Sequence, residues 1–438
     1  MPASSVLSLH GTVSDLPPDK SISHRAALIA ALADGETIID NFSGGLDNQT
    51  TLAALRQLGI DVRQDVVSLD GRPTRRVVIA SKGLWSLRPP NAFISCDNSG
   101  STMRMLAGIL AAQPFKTTLV GDDSLMKRPM RRVAEPLLQM GATVLLSESG
   151  TAPVVIEGMK PLRAISYTPP VASAQVKSLV IFAALHADGV SELIEPIQTR
   201  NHTELMLGLD VEKTPFGNRV QIHGGRPIDA KPFSVPSDPS AACFIIALAL
   251  LARESEVVLK NVCLNPTRTA YLELLDSSGA HLAFENVRVV GGEPIGDVVV
   301  ARAALSTPLR ISGDTLVANV IDEIPMLAVL SAFATGAFEL RDAKELRAKE
   351  SDRIRALVSN FQKLGFRCEE FADGFAITKQ HDEPKSLVNI ETFGDHRIAM
   401  SFYIASLVSA HDIVLSETAS IPVSFPNFFD VIGSLQKT

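Results

Sequence analysis

Residues Asp19 to Gly35 read DKSISHRAALIAALADG. From Ala26 on, this stretch is apolar at nearly every position and lacks the polar stripe that a surface helix keeps. It predicts a helix buried on all sides. Ahead of it, Lys20, Ser21, Ser23, His24 and Arg25 crowd the helix mouth with polar groups. The runs TMRMLAGILAAQ, VKSLVIFAALHADG, AACFIIALALLA, PMLAVLSAFATG and RIAMSFYIASLVSA are apolar in the same way. Short β-like stretches follow them, such as TIID, TTLVGD and DIVLSE. The run ends at Gly35, Gln113, Gly189, Ser255, Gly336 and His411 recur every 66 to 81 residues.

A second series interleaves with the first. LAALRQLGIDV, EPLLQMGATV, ELMLGLDVEK, YLELLDSSGAHL, VSNFQKLGFRC and FFDVIGSLQ read as amphipathic helices. Most end at a glycine suited to a helix C-cap and then turn into a strand. Alternating strands follow five of them: RVVIA, PVVIE, RVQIH, DVVVA and FAITK. The chain therefore reads as six helix–strand–helix–strand–strand units. Solenoid repeats are usually shorter, at about 20–50 residues. Two globular α/β domains of three units each fit better, with the apolar helices as cores. FSVPSDPS, Phe233 to Ser240, lies near mid-chain between the third and fourth units and is the expected crossover.

Composition narrows the function. The chain has 438 residues and a net charge of −7, which argues against a nucleic-acid surface. Its four cysteines lie far apart without a CxxC pair, as expected of reduced thiols in a cytoplasmic protein, and Cys96 reads as core. The N-terminal MPASSVLSLHGTVSD lacks the basic head and apolar centre of a secretion signal. The longest apolar run, AACFIIALALLA, is too short to span a bilayer, so no membrane partner is expected.

The helix mouths hold the unusual chemistry: DKSISHR, CDNSGSTMR, VASAQVK, VPSDPSA, VIDEIP and FGDHR. A helix N-terminus has free N–H groups and a partial positive charge, so it suits an anion. Lys20, Arg25, Arg104, Lys177 and Arg397 oppose that dipole, which points to anionic ligands. MKRPMRR, QTRNHTE and ELRAKESDRIR repeat the theme. Singly, each segment has a plainer reading. A Ser or Asp before an apolar run is a common N-cap, and RAKESDR suits a solvated helix face. His24, His202 and His396 have no metal-ligand spacing, and no metal or cofactor is expected. No Walker A loop, GxGxxG fingerprint or GxSxG elbow is present. The coincidence of cationic segments at equivalent repeat positions favours a small polyanionic substrate.

In order, DKSISHR, DNSGSTMR, KRPM, SAQVKS, TRNHTE, IDE, LRAKESDR and GDHRIAMSF resemble the motifs of the 5-enolpyruvylshikimate-3-phosphate synthase family, from about residue 10 to 430. SAQVKS and RNHTE look more like its class II bacterial branch. The resemblance implies two inside-out α/β domains: 19–237, and 1–18 with 238–438, with the active site in the cleft between them. It also implies a monomeric cytoplasmic transferase of the shikimate pathway that serves chorismate and aromatic amino acid biosynthesis. Such an enzyme transfers the enolpyruvyl group of phosphoenolpyruvate to the 5-hydroxyl of shikimate 3-phosphate, releasing phosphate. Glyphosate is the inhibitor such an enzyme would take.

Site residues follow from the same resemblance. Lys20, Asp322 and Glu350 would be catalytic. Lys20, Ser21, Arg25, Ser173, Ala174, Gln175, Arg200, Asp322 and Lys349 would bind shikimate 3-phosphate. Phosphoenolpyruvate would fall to Lys20, Asn98, Gly100, Arg128, Gln175, Arg353, His396 and Arg397. Arginine forks match carboxylate and phosphate geometry. Four positions depart from the family pattern. Pro18 and Asp97 stand where glycine is usual, Ser101 replaces threonine, and Val423 lies where one branch has lysine. The fold-sharing UDP-N-acetylglucosamine enolpyruvyl transferases usually carry a reactive cysteine in the loop matching GDDSLMKRPMRR, and this loop has none. A non-catalytic anion-binding homologue would not need Lys20, Asp322 and Glu350 together.

Overall fold

The computed structural model describes residues 7–69, 71–378 and 387–436. The first six residues of the stretch read for a secretion signal, and the closing Lys379 of FAITK, lie outside the described residues. Two compact units emerge. The first takes Pro18–Val235 with Val290–Glu293, and the second takes the chain up to Pro17, Pro236–Val289 and everything from Pro294 on.

Thirteen α-helices are found among the described residues. The first unit holds α1 (Lys20–Leu32), α2 (Leu46–Gln57), α3 (Gly100–Leu110), α4 (Arg131–Gln139), α5 (Ala174–Ala184) and α6 (His202–Leu207). The second holds α7 (Pro239–Leu251), α8 (Ala270–Ser277), α9 (Asp314–Val320), α10 (Ile324–Thr335), α11 (Arg353–Lys363), α12 (His396–Val408) and α13 (Phe428–Leu435). The six apolar runs are α1, α3, α5, α7, α10 and α12. They are buried almost throughout, so each unit is an α/β body built around three internal helices. Close approach depends on small residues. A methyl group added at Gly108 of α3 would lie 2.2 Å from the Leu179 carbonyl oxygen of α5.

The plainer reading of the mouths holds at five of six. Asp19, Ser99, Ser173, Asp238 and Asp395 each accept a hydrogen bond from a first-turn backbone N–H of the helix that follows. The sixth, α10, has a proline in its first turn and no side-chain cap.

A strand ahead of most buried helices lies parallel to the strand after it. Ile94–Ser95 pairs Lys116–Val120 around α3, and Ser166–Tyr167 pairs Val190–Glu195 around α5. Leu309–Ile311 pairs Ala337–Leu340 around α10, and Leu387–Ile390 pairs Asp412–Leu415 around α12. At α1 and α7 these leading strands are exchanged. Ser8–Val13, ahead of α1, pairs Glu254–Cys263, which follows α7. Phe233–Ser234, ahead of α7, pairs Asp34–Asp40, which follows α1. An antiparallel hairpin completes five of the sheets, as with Asp61–Leu69 and Arg72–Lys82. No single helix among the described residues is long and apolar enough to cross a membrane.

Candidate active site

In the first unit, the mouths of α1, α3 and α5 carry most of that unit's expected residues, with Arg128 and Arg200 reaching them from neighbouring turns. Asp19 caps α1 through the Ile22 N–H at 2.8 Å, which fixes Lys20 and Ser21 in the first turn. The Lys20 ammonium lies 2.7 Å from Asp47 Oδ2 on α2. Arg25 is buried. Its Nε donates to Thr203 Oγ1 at 2.8 Å, Nη1 to the Ser21 carbonyl at 2.9 Å and Nη2 to Ser178 Oγ at 2.9 Å. Arg200, in the turn before α6, donates from Nη1 to Ser21 Oγ at 3.2 Å. Ser21, Arg25, Arg200 and the start of α5 thus form one connected group.

A second group surrounds the start of α3. Arg104 Nη1 donates to Gln175 Oε1 at 2.6 Å, and Gln175 Nε2 donates to Ser101 Oγ at 2.9 Å. Arg128 Nη2 donates to Asn98 Oδ1 at 3.0 Å. Gly100 sits between the two arginines. A Cβ there would lie 2.8 Å from Arg104 Nη1 and 3.4 Å from Arg128 Nη1. The Asp97 carboxylate is turned away, accepting from Thr50 Oγ1 at 2.8 Å and Ser95 Oγ at 2.7 Å. Its φ of 45° is the left-handed conformation that aspartate tolerates better than most residues.

Asp322, Lys349, Glu350, Arg353, His396 and Arg397 assemble in the second unit. Asp322 Oδ1 lies 3.4 Å from Lys349 Nζ and 3.6 Å from Arg353 Nη1. The Asp322 carbonyl accepts from Arg397 Nη1 at 2.7 Å. Arg353 is almost fully buried. Its Nε lies 2.8 Å from Asp395 Oδ2, and its Nη2 lies 2.7 Å from Glu350 Oε2. Burial alone would raise the Asp395 pKa, but the adjoining guanidinium of Arg353 outweighs it and holds the carboxylate below its usual range. For Arg353, burial disfavours the charge, while Asp395 and Glu350 hold the proton on more firmly than usual.

Three acidic partners were not among the expected site residues. Asp47 lies 27 positions from Lys20, so local spacing gives no sign of the pair. Asp395 does sit inside the quoted FGDHR, where its role as a cap hides its role as a counter-ion. Asp122 accepts from Asn98 Nδ2 at 2.6 Å. His202 Nδ1 lies 2.7 Å from the acceptor Glu293 Oε1 inside the first unit, consistent with a structural histidine. Lys177 is not a ligand-facing cation. It is buried against Glu195 and Glu204.

Known proteins resolve what this chemistry serves. A family model described as EPSP synthase (3-phosphoshikimate 1-carboxyvinyltransferase) matches residues 5–432. The chain belongs to the EPSP synthase family. The 3-phosphoshikimate 1-carboxyvinyltransferase of Chlorobaculum tepidum is 62% identical over 429 residues, covering 98% of this chain and 99% of that one. Its counterpart in Chloroherpeton thalassium is 61% identical, with coverage of 98% and 99%. The solved EPSP synthase of Acinetobacter baumannii is 37% identical, with a TM-score of 0.80 and coverage of 99% and 97%. The enolpyruvyl transferase NikO of Streptomyces tendae has a TM-score of 0.72 at 15% identity, which speaks to the fold alone. The reaction of an EPSP synthase is transfer of the enolpyruvyl group of phosphoenolpyruvate to shikimate 3-phosphate, within aromatic amino acid biosynthesis.

Proposed function

We propose that the clusters described above divide this reaction between them. Ser21, Arg25, Ser173, Ala174, Gln175 and Arg200 hold the phosphate and carboxylate of shikimate 3-phosphate, while Asp322 and Lys349 take its ring hydroxyls. Asn98, Gly100, Arg128, Gln175, Arg353, His396 and Arg397 serve phosphoenolpyruvate, and Lys20 serves both substrates. The reading requires both sets to act on one substrate pair. Domains bounded at 19–237, and at 1–18 with 238–438, belong to the same proposal.

Phosphoenolpyruvate first gains a proton at its methylene carbon, which leaves a cationic centre at C2. The 5-hydroxyl attacks that centre and gives up its proton to Asp322. The resulting methyl group then loses a proton while phosphate departs, restoring the double bond. Glu350 gives and takes the carbon-bound proton, and Lys20 stabilises or protonates the leaving phosphate. These positive side chains supply the charge stabilisation, and no metal enters the scheme.

The observation that carries this reading is the placement of Glu350 and Asp322 among Lys349, Arg353 and Arg397. A protein that only bound anions would lose affinity by placing carboxylates there. Proton transfer requires them. The deciding measurement is phosphate release from the purified chain, with release expected only when both substrates are present. Release with phosphoenolpyruvate alone, or none with both, would defeat the reading. Inhibition by glyphosate at the phosphoenolpyruvate position, a monomeric state and a cytoplasmic location complete the proposal. The four cysteines, none of them in a disulfide, favour a reducing compartment.

A further inference from the structure

Lys177 stands in the first turn of α5 and is about 1% exposed. Its ammonium lies 2.8 Å from Glu195 Oε1 and 3.0 Å from Glu195 Oε2, at the end of the strand Val190–Glu195. It lies 2.8 Å from Glu204 Oε1 in α6 and donates to the Thr199 carbonyl at 3.3 Å. Glu195 Oε1 in turn accepts from the Thr199 N–H at 2.9 Å and from the Thr199 hydroxyl. One buried cation therefore ties together the strand, the turn and the helix on either side of Arg200.

Two carboxylates share a single ammonium here, and Glu204 Oε2 is buried without a hydrogen bond. A carboxylate excluded from water and left without its cation is strongly unfavourable. Removing Lys177 would thus drive Glu195 and Glu204 apart or toward solvent, and the intervening turn would move with them. That turn carries Arg200, which donates to Ser21 Oγ at 3.2 Å. The adjoining turn of α6 carries Thr203, which accepts from Arg25 at 2.8 Å. Ser178, next to Lys177, accepts from the same guanidinium at 2.9 Å.

We infer that Lys177 is a positioning residue for the shikimate 3-phosphate group of side chains. Through Glu195, Glu204 and Thr199 it sets the place of Arg200 and Thr203, without meeting substrate itself. The inference rests on the proposal that Arg200 and Arg25 bind shikimate 3-phosphate. Asn98 and Arg128 pair with each other at the start of α3, so phosphoenolpyruvate provides an internal control.

The experiment measures KM for each substrate, kcat and thermal midpoint for the wild type, Lys177→Met, Lys177→Arg, Thr199→Val and Arg200→Ala. Displacing a binding group by about an ångström costs on the order of a hundredfold, so Lys177→Met should raise the shikimate 3-phosphate KM tenfold or more. The phosphoenolpyruvate KM should change far less, and Lys177→Arg should restore part of the loss. Thr199→Val removes the hydroxyl bond from the turn to Glu195 while leaving the ion pairs and the two backbone bonds in place. It should shift the same KM in the same direction and keeps the test open if Lys177→Met does not fold. A purely structural role would lower the thermal midpoint and leave the KM ratio unchanged, which would overturn the inference. An Arg200→Ala variant with unchanged shikimate 3-phosphate KM would instead overturn the underlying assignment of Arg200.

Discussion

The ammonium of Lys20 and the carboxylate of Asp47 lie 2.7 Å apart, each mostly shielded from water. An arriving phosphate must compete with Asp47 for that ammonium, so the carboxylate holds Lys20 in place until substrate draws it away. Lys20→Met is expected to lower kcat by about 10²–10⁴, the usual loss for a charge stabiliser or general acid. Asp47→Asn keeps the hydrogen bond but loses the ion pair, and should lower kcat by roughly tenfold through poorer placement of Lys20. Steady-state kinetics on variants with wild-type circular dichroism give the answer. Near wild-type turnover in Lys20→Met would remove Lys20 from the mechanism.

Glu350 reaches Arg353 at 2.7 Å, a contact that an amide oxygen would keep. Glu350→Gln should therefore bind both substrates nearly as well as the wild type. It should fail to exchange solvent deuterium into the methylene group of phosphoenolpyruvate. Exchange at the normal rate, followed by mass spectrometry, would mean that another group moves that proton.

Gly100→Ala should act through Arg104. The new methyl would sit 2.8 Å from Arg104 Nη1, so the guanidinium must shift, and with it the 2.6 Å bond to Gln175. Crowding of this kind costs about 1–3 kcal/mol. Glyphosate is longer than phosphoenolpyruvate and should bear more of that penalty. The comparison is the glyphosate Ki against the phosphoenolpyruvate KM, in both proteins. Equal weakening of the two ligands would show that the methyl acts only on the arginine.

His24 predicts an acid-side loss of stability. Burial pushes its pKa from 6.5 down to about 3; Asp47 opposes that shift, and Lys20 and Arg25 add to it. Between those values the unfolded chain takes up a proton that the folded chain refuses. Its stabilising contribution is complete above pH 6.5 and declines as pH falls toward 3, with a slope of up to about 1.4 kcal/mol per pH unit. His24→Asn can keep the hydrogen bond to Thr51, which lies 2.7 Å from Nδ1. It should flatten the fall in urea midpoint between pH 6.5 and 4. An unchanged slope would place the acid sensitivity elsewhere.

The six-unit pattern was legible because a helix buried on all sides shows itself in composition alone. The strands leading into those helices were not. Ile94–Ser95 and Phe233–Ser234 are two residues long, too short for any alternation to register. α9 went unread because its seven residues carry no apolar periodicity strong enough to mark a helix. The cationic groups of the site could be found by their recurrence at helix mouths. Their carboxylate partners could not, since Asp47 and Asp395 meet Lys20 and Arg353 across 27 and 42 positions. Lys177 misleads for the same reason. Its place in the first turn matches the other cations, but its side chain turns inward to acids supplied by a later strand and helix. Asp97 reads in sequence as a negative charge beside an anion site, and its pairing with Thr50 and Ser95 turns that charge aside.

The parallel pairing of Ser8–Val13 with Glu254–Cys263 bears on how the chain is made. Val13 leaves the ribosome 241 positions before Glu254. At about 5–20 residues per second, that is a wait of roughly 12 to 50 s. Meanwhile Pro18–Val235 emerges as one uninterrupted stretch and can fold behind it. That strand thus joins a body whose other parts are translated only after the whole stretch Pro18–Val235, and until then its edge has no native partner to pair with.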